Sequence, residues 1–159
     1  MARRGFSIKL LILCLLLCVL VAAIGSVATR PSIPGWYEEL AKPAFTPPNW
    51  VFGPAWAVLY TMMAVALWRV IHVASGLTRR NAIIVFAVQL VLNALWSVVF
   101  FGAQAIFGGL VVIALLWLAI VATITSFVRI DRLAGWLLVP YLLWVSFAST
   151  LNLAIYILN

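Results

Sequence analysis

The sequence predicts an all-α membrane protein: a five-transmembrane-helix bundle with a structured first loop, forming one domain over residues 1–159. Composition is the first observation. The chain is 67% apolar and 8% charged, against just under half and about 25% in ordinary soluble proteins. A domain of this size cannot bury so much apolar surface in its own core, so the surplus faces lipid. The second observation is that the apolar residues fall into five continuous runs, each near the ~20 residues that a hydrocarbon layer of about 30 Å requires. Continuous runs exclude the short alternating strands of an outer-membrane barrel. Open strands would leave backbone groups unpaired in lipid.

The runs lie at about 7–28, 52–74, 82–102, 106–128 and 134–157. The first, LLILCLLLCVLVAAIGSVA after MARRGFSIK, imitates a secretory signal, and Arg3-Arg4 echoes a twin-arginine motif. Its apolar part is longer than the 7–15 residues of a signal core, and four more spans follow. It is read as a retained helix. Cys14 and Cys18 lie four apart within it, on one helical face, where a regular helix keeps them from bridging each other. They read as small apolar side chains facing lipid or a neighbouring helix. The link between the third and fourth spans, Gly102 to Ala105, is barely a turn, so those helices are antiparallel neighbours. Ala105 and Gly109 on the fourth span are small enough for close helix approach.

The net charge of +7 raises the question of nucleic acid. The basic residues, however, sit in short clusters between apolar runs, with no RNA-binding aromatic motif or metal-knuckle spacing, so nucleic acid is excluded as a partner. Arg3, Arg4, Lys9, Arg79, Arg80, Arg129 and Arg132 all fall on one side of a five-span topology, with Arg69 near the same surface, and only Arg30 and Lys42 on the other. The positive-inside rule then expects a cytoplasmic N-terminus, with the C-terminus and first loop outside. That loop, about 29–51, is long enough to carry structure of its own, and such loops tend to be functional. The stretch WYEELAKPAFTPPNWVFGPAW, 36–56, concentrates four of the seven prolines, three of the eight tryptophans and two of the three acidic residues. Its prolines fix φ and remove donors, as in a stiff lid. Asn49 is placed to cap the second helix.

No catalytic constellation accompanies these spans. His72, three residues after Arg69, reads as an interfacial side chain reaching toward headgroups. Asp131 reads as a solvated loop charge. Glu38 and Glu39 diverge and belong to the solvated face of the lid. There is no metal-ligand cluster, phosphate loop or nucleophile elbow, and no ionisable residue in mid-span to couple a proton or ion.

What remains is aromatic and amide chemistry. Trp36, Trp50, Trp68 and Trp136 fit interfacial anchors. Trp56, Trp96, Trp117 and Trp144 fall inside spans. Asn93 is a buried amide that needs a partner; helix glue and a ligand contact account for it equally well. Trp56 and Tyr60, Asn93 and Trp96, and Trp144 and Ala148 each share a helical face. At 1.5 Å per residue, Trp56 lies about 6 Å below the outer end of its helix, Asn93 and Ala148 about 14 Å, and Trp144 deeper, at roughly 20 Å. If these faces converge they line an aromatic pocket beneath the first loop, the general form of a small-molecule site. Plain core packing explains the same residues about as well.

Three motifs then carry a resemblance. Trp36, Tyr37, Leu40, Lys42, Pro43, Pro47, Pro48 and Trp50 are followed by Trp56 and Tyr60, by QLVLNALWSVVFFG at 89–102, and by VPYLLWVSFASTLN at 139–152. From about residue 31 to the C-terminus the chain resembles the translocator protein or tryptophan-rich sensory protein family (TspO/MBR, peripheral benzodiazepine receptor). The resemblance implies a five-helix bundle, usually a homodimer, that binds porphyrins such as protoporphyrin IX, sterols in some lineages, and benzodiazepine-type drugs, with a sensory or transport role. No cofactor is required; the tetrapyrrole is the ligand. The ligand-binding residues it implies are Trp36 and Tyr37 in the loop, Trp56 and Tyr60, Asn93 and Trp96, and Trp144 and Ala148. An alternative is a porphyrin-degrading enzyme driven by light and oxygen. Two departures matter. Phe45 is the one aromatic kept after Lys42-Pro43, and Tyr156 is followed by Ile157, Leu158 and Asn159, with no basic residue to complete a sterol-type motif.

Overall fold

A computed structural model describes residues 7–159, so Arg3 and Arg4, with the expectations that rest on them, lie outside the described residues. All regular structure among these residues is helical, and five stretches are long and apolar enough to cross a membrane.

Helix α1 spans Ile8–Thr29, opened by Ser7, whose hydroxyl accepts from the Leu10 amide at 3.4 Å. It is apolar around its circumference and buries few side chains, Cys14 and Cys18 among them, which suits a helix with lipid on most sides. The chain continues through a 3₁₀ turn, Arg30–Ser32, into a wide turn, Ile33–Tyr37, where Pro34 and Gly35 leave helical geometry. Gly35 has φ +91°, a left-handed region open to glycine at little cost. The chain reverses there and becomes the lid.

Helix α2 covers Phe52–Val73, after a 3₁₀ turn at Asn49–Val51. The expected Asn49 cap is not made: α2 begins without a side-chain cap, because the 3₁₀ turn carries the chain into the helix and moves its start away from Asn49. Helix α3, Gly76–Ser97, starts earlier than the expected 82 and takes Arg79 and Arg80 into its first turns. Long basic side chains at a helix end reach the interface without breaking the helix, so charge alone does not mark a loop. A wide turn, Val98–Gly102, closes α3, and α4 runs Ile106–Ile130.

The last run is two helices. The short α5, Arg132–Trp136, is capped by Asp131, and α6 covers Val139–Leu158 with Pro140 in its first turn. A proline lacks the N–H that a helix interior needs but fits a first turn, so the helix restarts there. Helix α1 lies between α2 and α3; α3 packs on α4, α4 on α5 and α6, and α5 against α2.

Two readings change at the end of the bundle opposite the lid. Asp131 is not solvated: its side chain is 10% exposed, pairs with Arg69 at 2.8 Å, and accepts from the amides of Leu133 (2.9 Å) and Ala134 (3.2 Å). Nor does His72 reach out to headgroups. Its Nε2 accepts from the Ser7 amide at 2.9 Å and its Nδ1 faces the Trp68 carbonyl at 3.0 Å, while the Trp68 indole donates to the Ser7 carbonyl at 3.1 Å. The ring thereby ties α1 to α2.

Gly109 serves contacts inside the chain. A Cβ on it would lie 2.7 Å from the Phe100 ring and 3.2 Å from Asn152 Oδ1, so the close approach it allows is to the Val98–Gly102 turn and α6.

Candidate functional site: a cavity beneath the lid

Two hydrogen-bonded contacts, at Ser32 and at Ala41, tie the lid to the bundle, and Lys42 braces it from within. Ser32 Oγ donates to the Phe101 carbonyl at 2.7 Å. Lys42 Nζ donates to the carbonyls of Tyr37 (2.6 Å), Glu38 (3.1 Å) and Leu40 (3.1 Å), and lies 4.8 Å from the Tyr37 ring centroid. The Asn159 amide forms a two-bond clasp with Ala41, accepting from its N–H and donating to its carbonyl, both at 3.0 Å. Lys42 therefore spends its donors on the lid's own backbone. Replacing Asn159 by alanine removes both clasp bonds, at roughly 1–3 kcal/mol. Native-state hydrogen exchange at the lid amides is expected to accelerate about tenfold, and unchanged protection would show that the Ser32 anchor and the lid's internal Lys42 brace suffice.

Beneath the lid, α1, α2, α3 and α6 enclose a cavity of about 570 Å³. Its α1 wall is built from small side chains, Cys18, Ala22 and Gly25 among them; α2 supplies Phe52, Trp56 and Tyr60; α3 supplies Asn93 and Trp96; and α6 supplies Ala148, Leu151 and Asn152. Tyr37 comes from the lid, and Arg30 is the one charged residue on the wall among the described residues. Small residues on α1 opposite large aromatics on α2 and α3 leave the space unfilled.

A line of buried polar groups runs from the cavity into the bundle. Tyr60 Oη donates to Asn93 Oδ1 (2.5 Å), Asn93 Nδ2 donates to Tyr141 Oη (2.9 Å), and Tyr141 Oη donates to Gln89 Oε1 (2.9 Å). All four residues are less than a tenth exposed. Asn93 thus bridges α2 and α6 while also lying on the cavity wall. The helix-bridging role is made, and it does not exhaust the side chain: an amide has two N–H groups and two acceptor lone pairs, and the bridge takes one of each. A second amide, Asn152, accepts from the Trp96 indole at 3.1 Å and donates to the Ile106 carbonyl at 3.2 Å, fixing the Trp96 ring edge.

Of the eight residues singled out in the sequence, the structure brings Tyr37, Trp56, Tyr60, Asn93, Trp96 and Ala148 together on this wall. Trp36 and Trp144 stand off it. Trp36 packs edge-on against Phe100 (5.6 Å between centroids) and Phe101 (6.4 Å), outside the wall that its neighbour Tyr37 joins. Trp144 lies in the seam between α2 and α6, 5.8 Å from Phe52 and 5.9 Å from Phe147. Residues four apart differ by about 40° around a helix, enough to put Ala148 on the wall and Trp144 on its flank. Trp144 is also not the deeper of the two tryptophans. Trp144 meets Phe52 while Trp56 meets Tyr141 (6.1 Å), so α2 begins level with Trp144.

Gln89, Tyr141 and Asn152 were not singled out. Gln89 and Asn93 are i,i+4, and Asn152 is a second mid-span amide, so the same cost of burying an amide in hydrocarbon pointed to both. The α1 wall carried no signal, because small residues in a uniformly apolar run look like any lipid-facing helix.

The fold and cavity define a class: a multi-pass helical membrane protein enclosing a chamber within the 300–1,000 Å³ range of small-molecule sites. The TspO/MBR family model matches residues 14–158, and the chain belongs to that family. It is 45% identical to the tryptophan-rich protein TspO of Chlorobaculum tepidum, over 96% of this chain and 98% of that one. It is 40% identical to Protein CrtK of Rhodobacter capsulatus, over 89% and 88% of the two chains. Against the translocator protein of Homo sapiens the identity is 37%, over 76% and 73%.

Proposed function

We propose that the cavity binds porphyrins, protoporphyrin IX or a related tetrapyrrole, together with hydrophobic drug-like molecules, and that occupancy serves a sensory or transport role. The supporting observation is the chamber itself: about 570 Å³, walled by Tyr37, Trp56, Tyr60 and Trp96 and bordered by an anchored lid. Flat aromatic ligands gain about 0.5–1.5 kcal/mol per ring pair beyond burial. Arg30, on the wall near the lid, is the natural counter-ion for a propionate, since Lys42 is engaged with backbone carbonyls. Asn93 and Tyr60 orient a polar edge.

Protoporphyrin IX is expected to quench the intrinsic tryptophan fluorescence saturably. Trp56→Leu weakens binding about tenfold through lost stacking and burial, whereas Trp144→Leu, off the wall, changes it by less than about threefold. A Trp56→Leu variant that binds as the wild type does would remove this site. Porphyrin absorbance under illumination, with free porphyrin as control, separates binding from light-driven degradation: bleaching faster with protein than without assigns the chemistry to the bound pigment.

A further inference from the structure

The buried chain of hydrogen bonds has a direction, and its far end is incomplete. Tyr141 has one proton and gives it to Gln89 Oε1, so toward Asn93 it acts as an acceptor; Asn93 must then present its N–H₂ to Tyr141 and its carbonyl to Tyr60. The Tyr60 proton is committed inward, and its hydroxyl shows the cavity acceptor lone pairs. At the other end Gln89 Nε2, buried and 1% exposed as a residue, has no hydrogen-bond partner.

The same four side chains support the opposite order. With both amides turned over, Gln89 Nε2 donates to Tyr141, Tyr141 donates to Asn93 Oδ1, Asn93 Nδ2 donates to Tyr60, and the Tyr60 proton points into the cavity. That order gives the Gln89 N–H₂ a partner and leaves its carbonyl bare instead, the milder of the two omissions. It then needs an acceptor at Tyr60. The heavy atoms barely move, because the oxygen and nitrogen of an amide are nearly the same size.

We propose that Gln89, which lies off the cavity wall, is a specificity-determining positioning residue: it sets the hydrogen-bond polarity that Tyr60 presents, and a ligand bearing a carbonyl or carboxylate acceptor reverses the chain. The proposal rests on the reading of the cavity as a ligand site. An empty cavity or an N–H ligand keeps Tyr60 an acceptor; a C=O ligand makes it a donor. A single chamber thereby accepts ligands of either polarity. The coupling is carried by four contiguous hydrogen-bonding groups with two discrete arrangements, which is the physical requirement for coupling at a distance.

Three tricyclic probes of one shape test this: 9-fluorenone, an acceptor; carbazole, an N–H donor; and fluorene, which is neither. Affinities are measured by calorimetric titration in detergent, with fluorene reporting the apolar contribution in each variant. Gln89→Met removes the inward acceptor, frees Tyr141 to donate to Asn93, and fixes Tyr60 as a donor. The fluorenone-to-carbazole affinity ratio is expected to rise about tenfold, the worth of one hydrogen bond. The rise should vanish in a Tyr141→Phe background, where the chain is cut. A ratio unchanged by Gln89→Met overturns the proposal, while failure of all three probes to bind the wild type overturns the cavity reading itself. If Gln89→Met does not fold, infrared spectroscopy of wild-type protein decides. Bound fluorenone should show a carbonyl band shifted to lower frequency that returns in Tyr60→Phe, and an unshifted band overturns the proposal.

Discussion

Tyr141→Phe is expected to destabilise the protein by roughly 2–4 kcal/mol, with no change in ring volume. The hydroxyl is the junction of the buried chain: it accepts from Asn93 and donates to Gln89, and the residue is 1% exposed. Its removal orphans an N–H on Asn93 and strips Gln89 of its one hydrogen bond, with Gln89 Nε2 already unpartnered. Each buried group left bare costs about 1–3 kcal/mol, more than the net value of the bond when made. Tyr60→Phe is the control. It breaks one bond, at the cavity edge, where water can reach Asn93, and should cost about half as much. Denaturant unfolding in detergent compares the two, and equal losses would show that the chain is not held as described.

Asp131→Ala should cost a comparable amount, about 2–4 kcal/mol, for a different reason. Asp131 holds Arg69 at 2.8 Å and accepts from both the Leu133 and Ala134 amides. The alanine variant loses a helix cap, about 1 kcal/mol, and leaves a partly buried guanidinium whose Nε already lacks a partner. Removing one member of a buried pair is costly because the other stays charged. Asp131→Asn keeps an oxygen for the cap and separates the two effects; it should recover about 1 kcal/mol. Adding Arg69→Leu to Asp131→Asn should restore further stability, since the stranded charge goes with it. If thermal unfolding of the double variant falls by the sum of the single effects, the pair is not coupled.

The five spans were legible because lipid imposes one requirement everywhere: about 20 apolar residues per crossing, with every backbone group paired internally. The expected 106–128 and 52–74 correspond to Ile106–Ile130 and Phe52–Val73. Element ends were less legible. Arg79 and Arg80 looked like a loop and are helical, and the last run is divided near Pro140. Charge and hydropathy report where the membrane is, and helices cross that boundary without a break.

Asn93 stood out because an amide in hydrocarbon demands a partner, and the demand was real. Which partners answered it, Tyr60 and Tyr141, depended on how α2 and α6 are rotated and staggered against α3. The same stagger seats Trp144 against Phe52, off the wall. The solvated reading of Asp131 failed for the same reason: its partner Arg69 lies far away in sequence and meets it once α5 packs against α2.

Apolar run length and the cost of bare polar groups act on each segment separately, so the sequence by itself determined the spans, the lid segment and the aromatic side chains available to line a chamber. Rotation and offset between helices come from side-chain packing across segments distant in sequence. Only the tertiary structure therefore decided that small residues of α1 face the rings of α2 and α3 across a chamber, and that its polar end continues through Asn93 and Tyr141 to Gln89.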